Sequence, residues 1–312
     1  MRIALLSDIH ANSNALESVF SDIDDNKRKV DQYFCLGDII GYGPDPVKVI
    51  ELLAKRVAPL NVISGNHEDL YRGLDEYSFN VSAKLTMLYE ISLINSNPQA
   101  IEYLKQISNS ESGLVFRKVK NNNFFLSHNG PGKHYDVYHY PWMAESLLPN
   151  LMNRFKDQCH INSNKKKWFL SSKTKNVFLT GHTHIPMICF EDRLTGKVKS
   201  LDTDGIIDIK RDCKDSNYIM INPGSVGYSR DGSSLASYVI IDLKKKAIEF
   251  HRTRYNIEIH IEKVASMEKW LADNLPPGYG FGDVDQALAS LVQSLGNASI
   301  PVKAPENWKI NC

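Results

Sequence analysis

The sequence predicts an α/β fold: a four-layer α/β-β/α sandwich of two mixed β-sheets flanked by helices, with a C-terminal helical extension. Three observations support this class. Uninterrupted runs of Val, Ile, Leu and Phe in the first half are typical of strands buried on both faces. Strands and amphipathic helices alternate in the first 65 residues. Later runs are short and separated by Gly, Asp and Asn turns, which favours a more antiparallel second sheet.

The N-terminal segment has the pattern β-α-β-α-β. Strands are predicted over residues 3–7, 33–36 and 60–64. Residues 14–25 carry apolar side chains at helical spacing, and Asn12 or Ser13 is available to cap the first turn. A second helix is predicted after Asp45-Pro46, because proline suits the first helical position.

The middle of the chain is predicted to contain helices first and then strands. Residues 80–107 are helical in two pieces, broken at Ser96-Asn97-Pro98. Residues 129–176 have poor regularity, and we interpret them as an insertion over the sheet edge, with a short helix near residues 144–155. The remaining predicted strands cover residues 115–119, 124–127, 177–180, 187–190, 218–221, 238–242 and 247–252.

The character of the chain changes after about residue 255, which we take as the end of the main domain, residues 1–255. Residues 256–312 form the predicted extension, with helices at 264–275 and 284–295 around a flexible Pro- and Gly-rich stretch. No metal-binding residue types cluster there. We expect this extension to be a helical cap or a contact between copies of the chain.

Composition narrows the class of protein. A net charge of +1 gives no global attraction to nucleic acid or to an anionic membrane, so stable nucleic-acid binding is not indicated. No apolar run approaches the ~20 residues of a membrane helix, and the first strand leads directly into Asp8, unlike a signal peptide. The five cysteines are scattered, without a Cys-x-x-Cys pair. We expect a cytoplasmic protein without membrane association.

Residue types that bind transition metals follow five of the apolar runs. These are Asp8 and His10, Asp38, Asn66 with His67, His128, and His182 with His184. In open α/β sheets, ligands gather beyond the carboxyl ends of the strands, so we expect one common site. Asp8 and His10 are two residues apart in sequence, as are His182 and His184. In extended backbone the two side chains of each pair would point to the same face of the strand.

This donor set predicts the cofactor. Carboxylate, imidazole and amide groups without thiolates suit Mn, Fe, Zn, Co or Ni, and argue against an all-oxygen Ca²⁺ or Mg²⁺ cage. The six or seven candidate ligands exceed what one tetrahedral ion needs, whereas two ions that share one carboxylate would use them all. We therefore expect two divalent transition-metal ions, with Mn²⁺ first among the candidates.

The ordered motifs Asp8-x-His10, Gly37-Asp38, Gly65-Asn66-His67, His128 and Gly181-His182-Thr183-His184 resemble the calcineurin-like metallophosphoesterase superfamily. The resemblance covers roughly residues 1–255. It implies that Asp8, His10 and His184 hold a first metal ion, and that Asn66, His128 and His182 hold a second. It also implies that Asp38 bridges the two ions and that His67 lies beside the leaving group without binding metal.

Such a pair of ions predicts hydrolysis of phosphomonoester or phosphodiester bonds. Two cations about 3.5–4 Å apart clamp a phosphoryl group and convert bound water into an attacking hydroxide. A poor leaving group also needs a proton donor, and an imidazole that titrates near neutrality suits this role. We assign His67 as the general acid.

A second resemblance refines the branch. Asn222-Pro223-Gly224-Ser225 and the following Arg230-Asp231-Gly232 are similar to small prokaryotic phosphoesterases described as phosphodiesterases or relatives of diadenosine tetraphosphatase. Protein serine/threonine phosphatases carry Asp-Arg-Gly where this chain has Gly41-Tyr42-Gly43, although Gly65-Asn66-His67-Glu68 echoes their motif. Phosphoprotein phosphatase and dinucleoside polyphosphate hydrolase therefore stay open as alternatives. So does a metal-bearing scaffold or regulatory subunit with weak catalysis.

Several polar residues have an ordinary interpretation of equal or greater weight. Arg230 is the candidate for gripping phosphate, and Tyr42 for stacking on a substrate ring, but a surface ion pair and simple packing explain them equally well. His134, His139 and the lysines at 165–167, 173 and 175 are more simply loop and surface residues. The expected partner is a phosphate ester, with nucleotides among the candidates.

Overall fold

The computed structural model describes residues 1–26, 28–74, 79–132, 137–163, 175–214 and 216–274, except for the side chains of residues 160–163. These residues form eleven strands and eight α-helices. The strands are β1 (Arg2–Leu6), β2 (Gln32–Cys35), β3 (Val115–Val119), β4 (Asn122–Leu126), β5 (Asn176–Leu179), β6 (Pro186–Glu191), β7 (Val198–Leu201), β8 (Ile206–Asp208), β9 (Tyr218–Pro223), β10 (Ala236–Asp242) and β11 (Ala247–Thr253). The helices are α1 (Ser13–Asp25), α2 (Pro46–Ala54), α3 (Asn66–Tyr71), α4 (Val81–Ile94), α5 (Pro98–Gln106), α6 (Leu147–Ser163), α7 (Ile209–Asp212) and α8 (Ile257–Asn274).

Two mixed sheets organise these elements. The first has the strand order β2-β1-β10-β11-β8, with β1 parallel to β2 and the other pairs antiparallel. The second has the order β3-β4-β5-β9-β6-β7, with β4, β5 and β9 parallel. In that parallel group Leu126 pairs with Leu179, and Leu179 with Ile221, so the three strands end at the same edge.

The sheets pack face to face and helices cover their outer faces. Ile3 and Leu5 belong to the core between the sheets, whereas Ala4 and Leu6 belong to the core under α1, α2, α4 and α5, as the alternation of a strand requires. The outer face of the second sheet packs against α6 through side chains such as Phe155 and Phe178, whose rings stack 4.5 Å apart. The predicted four-layer α/β fold is confirmed.

Local capping largely follows the sequence. The Asn12 side chain accepts a hydrogen bond from the Ala15 amide at 3.0 Å and so caps α1. Asp45 precedes α2 but makes no capping bond, because its carboxylate accepts from Ser13 and from Lys263 of α8 instead. Asn97 and Pro98 restart the helix between α4 and α5, as predicted.

The predicted third strand, residues 60–64, is wrong. Pro59–Asn61 form a 3₁₀ turn, with proline at its first position, and only isolated bridges follow, from Val62 to Cys35 and from Ile63 to Ser108. Four short elements, α3, α7, β7 and β8, were not predicted, because three to six residues carry too little periodicity to be recognised.

Two regions differ from their sequence interpretation or extend beyond the described residues. Helix α6, within the interpreted insertion 129–176, covers the outer face of a sheet instead of its edge. Helix α8 begins at Ile257, before the predicted start at residue 264, and the predicted helix 284–295 lies outside the described residues. The domain boundaries stay predictions.

Within the described ranges, no helix has the length and apolarity needed to cross a membrane.

Candidate metal centre

The predicted metal-binding side chains come together at one end of the sandwich. Asp8 and His10 follow β1, Asp38 follows β2, His128 follows β4, and His182 and His184 follow β5. Asn66 instead lies at the first position of α3, after the bridges that replace the expected strand. All of these residues are buried, with Asn66 the most exposed at 7 %.

Their backbone differs from the extended conformation that the two-residue spacing implied. Asp8, His10, His182 and His184 all have positive φ, between 49° and 67°, and Asp38 has φ 50°. Non-glycine residues in this left-handed region are uncommon and often mark functional sites. The pairs therefore converge because the chain turns sharply after each strand, and not because the strands continue.

One half of the site is formed by Asp8, His10 and His184. The Nε2 atoms of His10 and His184 lie 3.0 Å apart, and His184 Nε2 lies 3.3 Å from Asp8 Oδ1. These three residues offer ligand atoms that all lie within 4.8 Å of one another.

The other half is formed by Asn66, His128 and His182. Asn66 Oδ1 lies 3.0 Å from both His128 Nε2 and His182 Nδ1, and those two nitrogens are 3.3 Å apart. Asp38 lies between the halves, because its Oδ2 is 3.1 Å from His128 Nε2 and 3.8 Å from His10 Nε2.

Backbone carbonyls set the protonation of three of these imidazoles. The Nδ1 atoms of His10, His128 and His184 face the carbonyl oxygens of Ile40, Leu36 and Tyr228, to which they donate. In the neutral form of each ring, Nε2 is then a lone pair directed into the site, as is usual for histidines that bind metal. Lone pairs of His10 and His184 facing each other at 3.0 Å repel unless a cation lies between them. This donor arrangement fits a bound metal ion.

The electrostatics also favour a cation. Burial raises the pKa of the Asp8 carboxyl, but His184 and His128 outweigh it and hold the pKa below its ordinary value. Burial, His184 and His67 lower the pKa of His10, and burial and His128 lower the pKa of His182. His128 is the exception: burial lowers its pKa, yet the charge of Asp38 and the hydrogen bond to it raise the value to about 10.

Glycines allow the ligand loops to pack closely. A Cβ on Gly65 would lie 2.2 Å from Asp38 Oδ1, and one on Gly181 would lie 2.8 Å from Asp8 Oδ2. A Cβ on Gly41, which has φ +91°, would lie 1.9 Å from His67 Nδ1. Since real contacts of this kind essentially never fall below 3.0 Å, any larger residue would displace a site side chain.

Glu68 is a structural residue of the site that the sequence analysis did not assign. Its fully buried carboxylate accepts hydrogen bonds from four backbone amides, those of Gly65, Asp38, Ile39 and Ile40, at 2.7 to 3.2 Å. It thereby ties the loop after β2 to the start of α3. A Glu three residues after a helix-capping position was the available signal, because this pattern reaches back to the cap amide.

His67 lies beside both halves of the site. Its amide donates to Asp38 Oδ1 at 3.0 Å, and its ring meets the ring of His10 edge-on at 4.8 Å. The ring also packs against Tyr42 at 4.6 Å and Phe79 at 5.4 Å. Burial lowers the pKa of His67 to about 4, although Asp38 acts to raise it. Its ring, with His10 and Asp38, also forms a group that could hold a metal ion.

The two predicted substrate-binding residues lie at the same end of the molecule. Tyr42 is partly exposed, packs on His10 at 5.1 Å and on His67, and has φ 67°. The guanidinium of Arg230 lies 5.6 Å from the centre of the Tyr138 ring, and among the described residues it forms no ion pair with a carboxylate. Tyr138 stacks in turn on His182 at 4.6 Å, a contact that no sequence signal predicted.

The other polar residues are less informative. His139 is buried and does not belong to the groups of candidate ligands, and Lys175 donates to the carbonyl of Cys213 at 2.8 Å. His134 and the lysines at 165–167 and 173 lie outside the described residues.

Comparisons with known proteins agree with this geometry. A family model described as calcineurin-like phosphoesterase matches residues 1–204. The chain is 32 % identical over 279 residues to the uncharacterised protein MJ0912 of Methanocaldococcus jannaschii, covering 88 % of this chain and 96 % of that one.

Two solved structures share the fold. The metallophosphoesterase of Sphaerobacter thermophilus superposes with a TM-score of 0.63 at 26 % identity, covering 96 % of this chain and 99 % of that one. The hypothetical protein PH1004 of Pyrococcus horikoshii OT3 has a TM-score of 0.62 at 18 % identity, covering 93 % and 97 %. Because the family model spans well over half of the sequence and the site carries the expected residues, the chain belongs to the calcineurin-like phosphoesterase family.

Proposed function

We propose that this phosphoesterase hydrolyses phosphomonoester or phosphodiester bonds with two divalent transition-metal ions, Mn²⁺ foremost. Asp8, His10 and His184 would hold one ion, and Asn66, His128 and His182 the other, with Asp38 shared. The observation that carries the proposal is the convergence of imidazole nitrogens and carboxylate oxygens within 3.0 to 3.9 Å of one another. When bound, two such ions polarise the phosphoryl group and activate water for in-line attack.

The chain's own residues would position the ions and the substrate. The carbonyls of Ile40, Leu36 and Tyr228 fix the ring orientation of three ligands, which favours tight and specific metal binding. Arg230 is free of carboxylate partners among the described residues and carries the planar donor fork that suits phosphate, so it would grip a non-bridging oxygen.

Burial holds the pKa of His67 at about 4, below the neutral range expected of a general acid, so His67 would donate the proton to the leaving-group oxygen where the negative charge of a bound phosphate ester raises that pKa. Its Nδ1 faces Gly41, so Nε2 is the nitrogen available to a substrate. Its amide bond to Asp38 keeps the ring beside the proposed bridging position. The proposal places His67 outside the ligand set, which metal analysis of a variant can test directly.

The wider assignments are also proposals. We propose a cytoplasmic protein whose partner is a phosphate-ester substrate, with a nucleotide as one candidate. We further propose that the C-terminal extension caps the domain or joins copies of the chain. The contacts of α8 with the main domain, through Val264, Met267 and Leu271, support the first of these two roles.

The test begins with protein stripped by a chelator and reloaded separately with Mn²⁺, Fe²⁺, Co²⁺, Ni²⁺ or Zn²⁺. We expect two equivalents of metal and turnover of bis(p-nitrophenyl) phosphate. A panel of mono-, di-, cyclic and dinucleoside phosphates and a phosphopeptide would then distinguish diesterase, dinucleoside polyphosphate hydrolase and phosphoprotein phosphatase. Two bound equivalents without turnover of any substrate would favour a metal-bearing scaffold.

A further inference from the structure

Glu90 is a buried carboxyl group that the proposed reaction does not use. It lies on α4 without exposed surface, and among the described residues it forms no ion pair with a lysine or arginine. Its Oε2 accepts a hydrogen bond from the Gly41 amide at 2.8 Å, whereas its Oε1 is buried without a hydrogen-bond partner in the described part of the chain. Burying a polar group in this way costs free energy, so the bond to Gly41 indicates the role of the residue.

The bond from Glu90 holds a strained turn in place. Gly41 has φ 91° and Tyr42 has φ 67°, and this left-handed region is costly for a residue with a side chain. The Tyr42 amide donates to Thr86 Oγ1 at 3.2 Å. Thr86 and Glu90 are four residues apart and therefore lie on one face of α4. One helix face thus holds two consecutive amides of this turn, which we call the 41–42 turn.

The 41–42 turn forms the wall against which the His67 ring lies. A Cβ added to Gly41 would overlap His67 Nδ1, so the backbone of the turn contacts the ring directly. The Tyr42 ring packs on the same imidazole at 4.6 Å. Three of the ligand imidazoles are oriented by backbone carbonyls, but His67 Nδ1 is buried and has no hydrogen-bond partner within the ranges described. Packing against the turn, and not a hydrogen bond at Nδ1, therefore sets the direction of His67 Nε2.

We propose that Glu90 is a positioning residue for proton donation: by holding the Gly41 amide, it keeps His67 Nε2 directed at the leaving-group oxygen. This inference rests on the proposed function, and specifically on His67 as the general acid. A displacement of about 1 Å can cost a factor of about 10² in rate. Loss of the bond would therefore slow the step that needs the proton.

Metal binding should not depend on Glu90 in the same way. The carbonyl that orients His10 belongs to Ile40, the residue before the turn. Glu68 already holds the Ile40 amide at 3.2 Å, so this part of the loop has a support of its own. The two bonds from α4 act on the next two residues, which contact His67.

The dependence of the rate on the leaving group tests the proposal in purified full-length protein loaded with Mn²⁺. A p-nitrophenyl ester of phosphate, whose leaving group needs little protonation, is compared with the corresponding phenyl ester, whose leaving group needs more. The pair is of monoesters or diesters, whichever the natural chain hydrolyses. Glu90→Leu should lower kcat on the phenyl ester by about tenfold or more and on the nitrophenyl ester by less than about threefold, with two equivalents of metal bound.

Glutamine at the same position is the conservative variant. Burial raises the pKa of Glu90 well above its usual range, which favours the neutral acid, so Glu90→Gln should keep both rates within about threefold of the natural chain. Three results would overturn the proposal: equal loss on both esters in Glu90→Leu, loss of a metal equivalent in that variant, or a glutamine variant that is equally slow on the phenyl ester.

Two further variants on α4 complete the test. Thr86→Val removes the acceptor of the Tyr42 amide and should shift the ratio of the two rates in the same direction by about threefold. It carries the test if Glu90→Leu does not fold, and an unchanged ratio would then overturn the proposal. Met87→Ala is the matched control, because it loosens the buried side of α4 but keeps both bonds to the 41–42 turn, so the ratio should stay within about twofold.

The outcomes separate this inference from the proposed function. A shift of the ratio in Met87→Ala as large as in Glu90→Leu would indicate general loosening of α4 and would overturn the positioning role. Turnover by the natural chain with an unchanged ratio in Glu90→Leu would refute this inference alone. No turnover of any ester by the metal-loaded natural chain would refute the proposed function, and the inference with it.

Discussion

The two halves of the metal centre are built in different ways. The Asn66, His128 and His182 half is supported from within the region matched by the family model, because His128 donates to the Leu36 carbonyl at 2.7 Å and Glu68 holds the loop around Asp38. The Asp8, His10 and His184 half depends on residues beyond it. Ser225 Oγ donates to the Asp8 carbonyl at 2.7 Å, and His184 donates to the carbonyl of Tyr228.

This second support extends to the C-terminal helix. The Tyr228 hydroxyl is 2.8 Å from His260 Nε2 of α8, and Lys263 one turn later binds Asp45 and Asn14 beside α1 and α2. Val264, Met267 and Leu271 pack with Tyr228 in a buried cluster. Asn222 also donates to the carbonyl of Gly181, beside His182, so both halves receive support from beyond the region matched by the family model. The difference is that only the half with Asp8, His10 and His184 is linked, through Tyr228, to α8 among the described contacts.

The largest expected effect tests whether the halves are one unit. Asp38→Ala removes the carboxylate proposed to be shared between them, so both equivalents of metal should be lost and the rate should fall by at least about 10³-fold. Metal analysis after gel filtration gives the stoichiometry, with Asp25→Ala at the exposed end of α1 as control. Retention of two equivalents of metal would refute the shared role of Asp38. Retention of one equivalent would show that the two halves bind their metal ions independently.

The next effect separates chemistry from metal binding. His67→Ala should keep both equivalents while lowering the rate on substrates with poor leaving groups by roughly 10²–10⁴, the range for a lost general acid. The loss should shrink for p-nitrophenyl esters, whose leaving group needs little protonation. If one equivalent of metal disappears with the ring, His67 is a ligand, as its group with His10 and Asp38 permits.

Features of the fold and of the metal centre could be predicted from sequence where their signal is local along the chain, but not where they depend on contacts between residues distant in sequence. Apolar runs and the residues that follow them identified the sheets and all seven candidate ligands, because both signals are local. The sharp turns at Asp8, His10, His182 and His184 left no comparable trace, since glycine does not occupy those positions. The contacts of Tyr228 with His184 and His260 join positions distant in sequence, and only packing reveals them.

A smaller effect should be confined to one half. Tyr228→Phe removes the hydroxyl bonded to His260 but keeps the carbonyl that His184 needs, so the first metal ion should bind roughly tenfold more weakly. The second ion should be unaffected. Competitive titration with a metal-binding dye resolves the two affinities, and Tyr103→Phe, which removes a hydroxyl that donates to the Val57 carbonyl elsewhere, is the matched control. Equal weakening of both ions would mean that α8 supports the centre as a whole.

The smallest effect concerns acid. Burial lowers the pKa of His260 to about 4, although Asp45 acts to raise it, while the unfolded chain keeps a value near 6.5. The folded state binds fewer protons in this window, so its stability is complete above about pH 6.5 and declines as pH falls toward 4. Melting temperatures of metal-free protein across this range should fall more steeply for the natural chain than for His260→Gln, which cannot become charged. If melting temperature falls equally with pH in both proteins, protonation of His260 does not loosen α8. The contrast between the two halves would then depend only on the contact of His184 with the Tyr228 carbonyl.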